Sequence, residues 1–220
     1  MHFVQFLSYI AVVVGAYMLG SIPTGYLVAR AKGVDIRTVG SGNIGATNVF
    51  RFLGKPAGIF VLVVDGLKGF AACAWLADFA IRFFSVAPAE EVYLRLIGGL
   101  AVVIGHNYTC WLRFKGGKGI ATSAGVLAGI VPWALLIILS LWIIFFALTR
   151  YVSVGSLVAS FTLPFATWFF YGDWTLTIVT GAMSVLAIYK HKGNIQRLLN
   201  GTENRIGSLK KKQNKKQSTP

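Results

Sequence analysis

Six apolar runs constrain this chain more than any other feature: Phe3–Ala29, Ala57–Ala77, Leu96–Leu112, Gly119–Thr149, Tyr151–Gly172 and Trp174–Tyr189. A bilayer crossing takes about 20 mostly apolar residues. More than half of the chain is apolar and only 13% is charged. A soluble domain is therefore excluded, and an all-α integral membrane protein is expected. No Lys or Arg precedes the first run, so it reads as a retained span and not as a signal peptide. The fourth run would be about 46 Å long as one helix, and Pro132 falls near its middle. It is expected to be two segments, Gly119–Val131 and Trp133–Thr149, which makes seven transmembrane helices. The first of the pair is short enough to reach only part way.

Charge placement separates seven crossings from six. With seven, one side of the membrane holds Arg30 to Lys55, Arg113 to Lys118, Arg150 and everything from Lys190 onward. Those stretches contain all of the 21 Lys and Arg except Lys68, Arg82 and Arg95, and their only acids are Asp35 and Glu203. Six crossings would send the last basic cluster to the opposite face. The positive-inside rule therefore gives an N-terminus outside and a C-terminus in the cytoplasm. Residues 1–207 are expected to form the membrane domain. Residues 208–220, with Lys210-Lys211-Lys212 and Lys215-Lys216, are expected to be a basic disordered tail drawn to anionic headgroups. The net charge of +14 is thus accounted for without nucleic acid.

Other residues carry weaker signals. Cys73 and Cys110 lack metal-ligand spacing and read as buried thiols. Asp65 and Lys68 stand three apart within the second run, on one helix face. Charges at that depth face the bundle interior and pair, either as a structural ion pair or in support of a site. Gly98-Gly99 and Gly181-Ala182 are expected where helices pack closely.

Three unusual segments share the basic side. The first is Gly40-Ser41-Gly42-Asn43-Ile44-Gly45-Ala46-Thr47-Asn48-Val49-Phe50-Arg51, glycines and amides ahead of one arginine and no acid. Ser41 is expected to cap a helix from Asn43 to Arg51, placing Asn43, Thr47 and Arg51 on one face. The second is Gly105-His106-Asn107-Tyr108 followed by Arg113-Phe114-Lys115-Gly116-Gly117-Lys118-Gly119. The third is His191-Lys192-Gly193-Asn194-Ile195-Gln196-Arg197 followed by Gly201-Thr202-Glu203. Glycines let backbone N–H groups approach an oxyanion, and Lys and Arg neutralise it. A helix beginning just after Lys118 would add its positive end. His191 and Asn194 would share a face. Together the three segments are expected to hold two or three phosphates.

Several chemistries do not fit. Gly117-Lys118 is followed by Gly119, so there is no P-loop. The positions five after His2, His106 and His191 are Leu7, Trp111 and Gln196, so there is no HxxxxD dyad. No acidic cluster offers a Mg²⁺ site on the basic face. A reaction on a phosphorylated substrate without metal is the reading that remains. An anion channel is its rival, but the polar motifs cluster on one face, whereas a permeation path needs polar groups through the membrane.

The motifs Ser41-Gly42-Asn43-Ile44-Gly45-Ala46-Thr47-Asn48, Phe114-Lys115-Gly116-Gly117-Lys118-Gly119 and His191-Lys192-Gly193-Asn194 together resemble the PlsY family of bacterial acyl-phosphate:glycerol-3-phosphate acyltransferases. The resemblance runs from about Gly20 to Arg205. It implies a multi-pass bacterial inner-membrane enzyme with its site on the cytoplasmic face. Such an enzyme moves a fatty acyl group from acyl phosphate to the sn-1 hydroxyl of glycerol 3-phosphate, releasing phosphate and lysophosphatidic acid in an early step of phospholipid synthesis. The family uses no metal or cofactor, and the enzyme that forms acyl phosphate is an implied partner. Carried over by position, Ser41, Asn43, Arg51, Lys118, Ser156, His191 and Asn194 would line the site. Gly42, Thr47, Asn48, His106, Lys115, Gly116, Gly117 and Glu203 are further candidates for substrate contact. Two departures stand out: Thr109 occupies a position where the family often has Pro, and the lysine-rich tail is extra.

Overall fold

A computed structural model describes residues 2–207, and the basic tail expected at 208–220 lies outside the described residues. All regular structure among the described residues is helical. The chain divides into two units, residues 1–132 and 133–220.

The first unit opens with α1 (His2–Ser21) and α2 (Thr24–Arg30). Pro23 separates them because it has no N–H to continue the helical ladder. The turn there is tight: Pro23 has φ −88° and ψ 70°, and the Thr24 N–H donates to Ile22 O at 3.0 Å. Next come α3 (Ala46–Leu53) and α4 (Lys55–Ala71), then a π-helical turn (Ala72–Leu76) that leads into α5 (Ala77–Phe84). Helix α6 (Pro88–Asn107) begins with proline and carries Glu90 and Glu91 in its first turn, both suited to a helix start. After a 3₁₀ turn (Cys110–Leu112), the unit closes with α7 (Ile120–Ile130).

In this unit α1 lies along α6, α7 along α4, and α3 against the start of α4. The seams are made of small residues. A methyl at Gly20 would fall 2.1 Å from Val102 O, one at Gly69 2.0 Å from Thr122 O, and one at Gly125 1.8 Å from Gly66 O. Gly98 and Gly99 behave as expected: a methyl would meet Val12 Cγ1 at 3.0 Å and Val126 Cγ1 at 2.6 Å respectively. Toward one end Tyr9 Oη donates to Glu90 at 2.7 Å, and Arg95 pairs with Asp78.

The second unit comprises α8 (Pro132–Thr149), α9 (Val152–Tyr171), α10 (Trp174–Lys190) and α11 (Lys192–Leu199). Pro132 starts α8, as its missing N–H requires, so the long fourth apolar run is indeed broken there. Asp173 caps α10 by accepting from the Leu176 N–H at 2.8 Å. Helix α10 packs along α9. Gly181 departs from expectation, because a methyl there would meet nothing nearer than Pro164 Cβ at 4.0 Å. It makes no close approach.

Among the described residues, four helical stretches are long and apolar enough to cross a membrane: Phe3–Arg30, Lys55–Phe84, Pro132–Thr149 and Val152–Tyr171. Ile120–Ile130 and Trp174–Lys190 are shorter apolar helices. Phe60, Phe83, Phe169 and Ile178 are all more than half exposed. Only hydrocarbon makes such surfaces favourable, so this is an integral membrane protein.

Candidate active site

The first motif is a turn that feeds α3, and its geometry corrects the expected cap. The helix begins at Ala46, with Gly45 extended at its N-cap. Asn43 precedes it, and Asn43 Oδ1 accepts the Gly45 N–H at 2.9 Å. Gly40 and Gly42 both have left-handed φ, +59° and +67°, which glycine adopts without steric cost. These two reversals hold Ser41 away from the helix start. Of the three residues expected on one helical face, only Thr47 and Arg51 are on the helix.

Asn48 is corrected from substrate contact to loop organiser. It is buried, its Oδ1 accepts the Ser41 N–H at 3.2 Å, and its Nδ2 donates to Ile36 O, Val39 O and Asn43 O at 3.0–3.1 Å. Its polar atoms are spent on the loop backbone. Arg51 is half-buried in the last turn of α3. The loop's one acid is neutralised locally, since Arg37 donates to Asp35 at 2.9 and 2.7 Å. Those bonds hold the Asp35 carboxyl at about 2. Because that value is depressed, the carboxylate stays charged and bonded until pH falls through about 2. At neutral pH it does not repel an incoming anion.

The second motif folds back over the end of α6. Phe114 N donates to Thr109 O at 3.0 Å, Lys115 N to Leu112 O at 3.1 Å, Gly116 N to Asn107 O at 3.2 Å and Gly117 N to His106 O at 2.9 Å. Helix ends leave carbonyls without intrahelical partners, and this loop supplies the donors. The expectation that the Gly116 and Gly117 N–H groups face an oxyanion is thereby corrected. Arg113 and Phe114 take left-handed φ of 54° and 59°, a strain of roughly 1–2 kcal/mol per residue. Exposed Lys115 and half-buried Lys118 flank the two glycines, and α7 starts immediately after Gly119.

His106 is also enclosed. It is 6% exposed, its Nδ1 lies 3.7 Å from Asp65 Oδ1, and its Nε2 would be 2.1 Å from a methyl at Gly117. Sequence reasoning offered it as a substrate contact, but the structure uses its ring as packing beneath the loop. Asp65 and Lys68 form the expected ion pair at 2.9 Å, both buried.

The third motif lies in the second unit, at the junction of α10 and α11. His191 ends one helix and is the N-cap of the next, where its carbonyl accepts the Asn194 N–H at 2.8 Å. Both are buried. His191 Nδ1 lies 2.8 Å from Ala187 O. A carbonyl can only accept, so Nδ1 carries a proton.

Glu203 is corrected to a clamp. Its side chain is 5% exposed, and it accepts from Ser153 Oγ at 3.1 Å, Asn194 Nδ2 at 2.7 Å and Arg197 Nε at 2.7 Å. Ser156 is buried on α9, where its hydroxyl donates to Val152 O at 2.9 Å and accepts from Trp142 Nε1 at 3.3 Å. Trp142 was not singled out from sequence. An indole amid aromatic neighbours carries no distinguishing pattern.

In each unit, then, buried polar groups hold basic or amide side chains beside small-residue backbone, an arrangement suited to anionic esters. Known proteins agree with this reading. A family profile for glycerol-3-phosphate acyltransferase matches residues 10–201. The chain is 45% identical over 197 residues to the glycerol-3-phosphate acyltransferase of Endomicrobium trichonymphae, covering 89% of this chain and 94% of that one. It is 46% identical over 191 residues to that of Geobacter sulfurreducens, covering 87% and 94%. A solved structure of PlsY, an integral membrane glycerol 3-phosphate acyltransferase in its glycerol 3-phosphate form, superposes with a TM-score of 0.82 at 39% identity, covering 92% of this chain and 98% of that one. The lysophosphatidic acid form gives 0.79 at 38% identity, covering 92% and 97%. At this identity and coverage, the chain belongs to the PlsY family of glycerol-3-phosphate acyltransferases.

Proposed function

We propose that this acyltransferase takes its acyl group from acyl phosphate and delivers it to the sn-1 hydroxyl of glycerol 3-phosphate. It acts on the cytoplasmic face of a bacterial inner membrane, as a protein of seven crossings with its N-terminus outside. The observation that carries this reading is the Lys115–Lys118 loop. Its backbone is pinned to the end of α6, and it presents two cations immediately before the N-terminus of α7. Cations beside a helix start suit a phosphate ester.

The chemistry needs little more than this. Acyl phosphate is a mixed anhydride, so its carbonyl is already activated. The sn-1 oxygen bonds to the acyl carbon, the bond from that carbon to the phosphate oxygen breaks, and phosphate leaves with the electron pair. The hydroxyl proton passes to His191 Nε2 or to the departing phosphate. Two anions must be brought together, and cationic neutralisation with fixed orientation is what lowers that barrier. The family motifs, carried over by position, give Arg51, Lys118, His191 and Asn194 to glycerol 3-phosphate. Ser41, Asn43 and Lys115 are assigned to the acyl phosphate. Ser156 would join them only by exchanging its bond to Val152. The solved PlsY forms support the acceptor and product, since lysophosphatidic acid is glycerol 3-phosphate carrying one acyl ester.

The test is release of inorganic phosphate from acyl phosphate by the detergent-purified protein. Release should depend on glycerol 3-phosphate, and Lys118→Ala should cut turnover by about 100-fold. Acceptor-independent release, or an undiminished Lys118→Ala enzyme, would count against the reading.

A further inference from the structure

The charges buried in α4 are not used by the reaction above, and stability is a poor reason for them. A buried ion pair often gains nothing over apolar residues of the same volume. Lys68 Nζ is committed to Asp65 Oδ1 at 2.9 Å and to Ile22 O at 3.0 Å, the carbonyl that also accepts the Thr24 N–H at the Pro23 turn. Asp65 Oδ1 also accepts from Thr24 Oγ1 at 3.1 Å. The contact that leads out of this cluster toward the loop is His106 Nδ1, 3.7 Å from the same oxygen.

His106 holds Gly117 from two directions. Its backbone carbonyl accepts the Gly117 N–H at 2.9 Å, and its Nε2 fills the space where a Cβ at 117 would be, 2.1 Å away. Gly117 cannot settle toward α6 without displacing the ring, and displacing the ring would change its 3.7 Å approach to Asp65. We propose that Asp65, braced by Lys68, acts through His106 as a positioning residue that sets the place of the Lys115–Lys118 loop. The proposal rests on reading that loop as the phosphate holder.

The test compares wild type with Asp65→Asn/Lys68→Met, which removes both charges together so that neither is left buried alone. A second variant, His106→Asn, keeps a polar group near Nδ1 but withdraws the part of the ring against Gly117. Three quantities are read: the melting temperature, hydrogen exchange of the peptide covering 114–118, and KM and kcat for glycerol 3-phosphate. Both variants should melt close to wild type. Loop exchange should rise about tenfold, and KM about tenfold with kcat within about threefold. His106→Asn should also rescue Gly117→Ala about tenfold, since shortening residue 106 makes room for the methyl.

Unchanged exchange and unchanged KM in the folded variants would overturn the proposal. So would losses that follow melting temperature alone, which would mark the pair as purely structural. If the charge-free variant does not fold, His106→Asn and its rescue of Gly117→Ala decide the matter. Should wild type lack acyl transfer while loop exchange still responds, the phosphate reading falls and the positioning stands.

Discussion

Glu203 spends its charge inside the protein. Three donors converge on one carboxylate, two of them at 2.7 Å, and hydrogen bonds to a charged group contribute about 1.5–3 kcal/mol each. Glu203→Gln keeps the shape but replaces one acceptor with an N–H that must face Asn194 or Arg197. The variant should be less stable by about 2 kcal/mol and should lose acyl transfer as Asn194 loosens. Thermal melting in detergent, alongside the activity assay, checks it, and a wild-type melting curve with full activity would refute it. Thr109 is the opposite kind of residue. The resemblance implies Pro at its position, and its φ of −61° is the angle proline imposes. Its hydroxyl adds a bond to Ser21 O at 2.5 Å, so the departure keeps the backbone shape and gains a tie to α1.

At the scale of elements, backbone carbonyls and glycines set how α4 meets α7. A methyl at Gly125 would sit 1.8 Å from Gly66 O, whereas one at Gly181 would meet nothing nearer than 4.0 Å. Gly125→Ala should therefore destabilise the protein by more than about 3 kcal/mol, within the range of overpacked cores and beyond. Gly181→Ala should be neutral or better by up to about 1 kcal/mol, because alanine favours a helix. Membrane-extracted yield and melting temperature distinguish them, and equal behaviour of the two variants would refute the account of this seam.

Which of these glycines packs closely was not legible in the sequence. The break at Pro132 was, because a missing N–H acts wherever proline sits. The start of α3 was not: Ser41 reads as a cap until Gly42 turns left-handed and Asn43 takes over the approach. The Gly116 and Gly117 amides were likewise misread. A sequence shows that glycines permit close approach but not to what, and here it is the end of α6.

At the scale of the whole molecule, the charge pattern is what speaks to orientation. All Lys and Arg except Lys68, Arg82 and Arg95 fall in stretches that seven crossings would put on one side. With Cys73 and Cys110 replaced, a single cysteine at exposed Ala89 should react with an impermeant maleimide in intact spheroplasts. One at exposed Asn200 should react only after permeabilisation. The reverse pattern would overturn the orientation.

Helix α7 is only 11 residues, about 16 Å, roughly half the thickness of a hydrocarbon core. It begins beside Gly66 and Gly69 of α4, which lie roughly 16 and 21 Å along that helix from Lys55. The lysine loop therefore enters well below the end of its neighbour. For the single-tailed donor proposed above, that depth would remove an extraction step. A phosphate drawn down to the loop would leave the chain in oil, and each methylene that need not be lifted into water would spare about 0.8 kcal/mol.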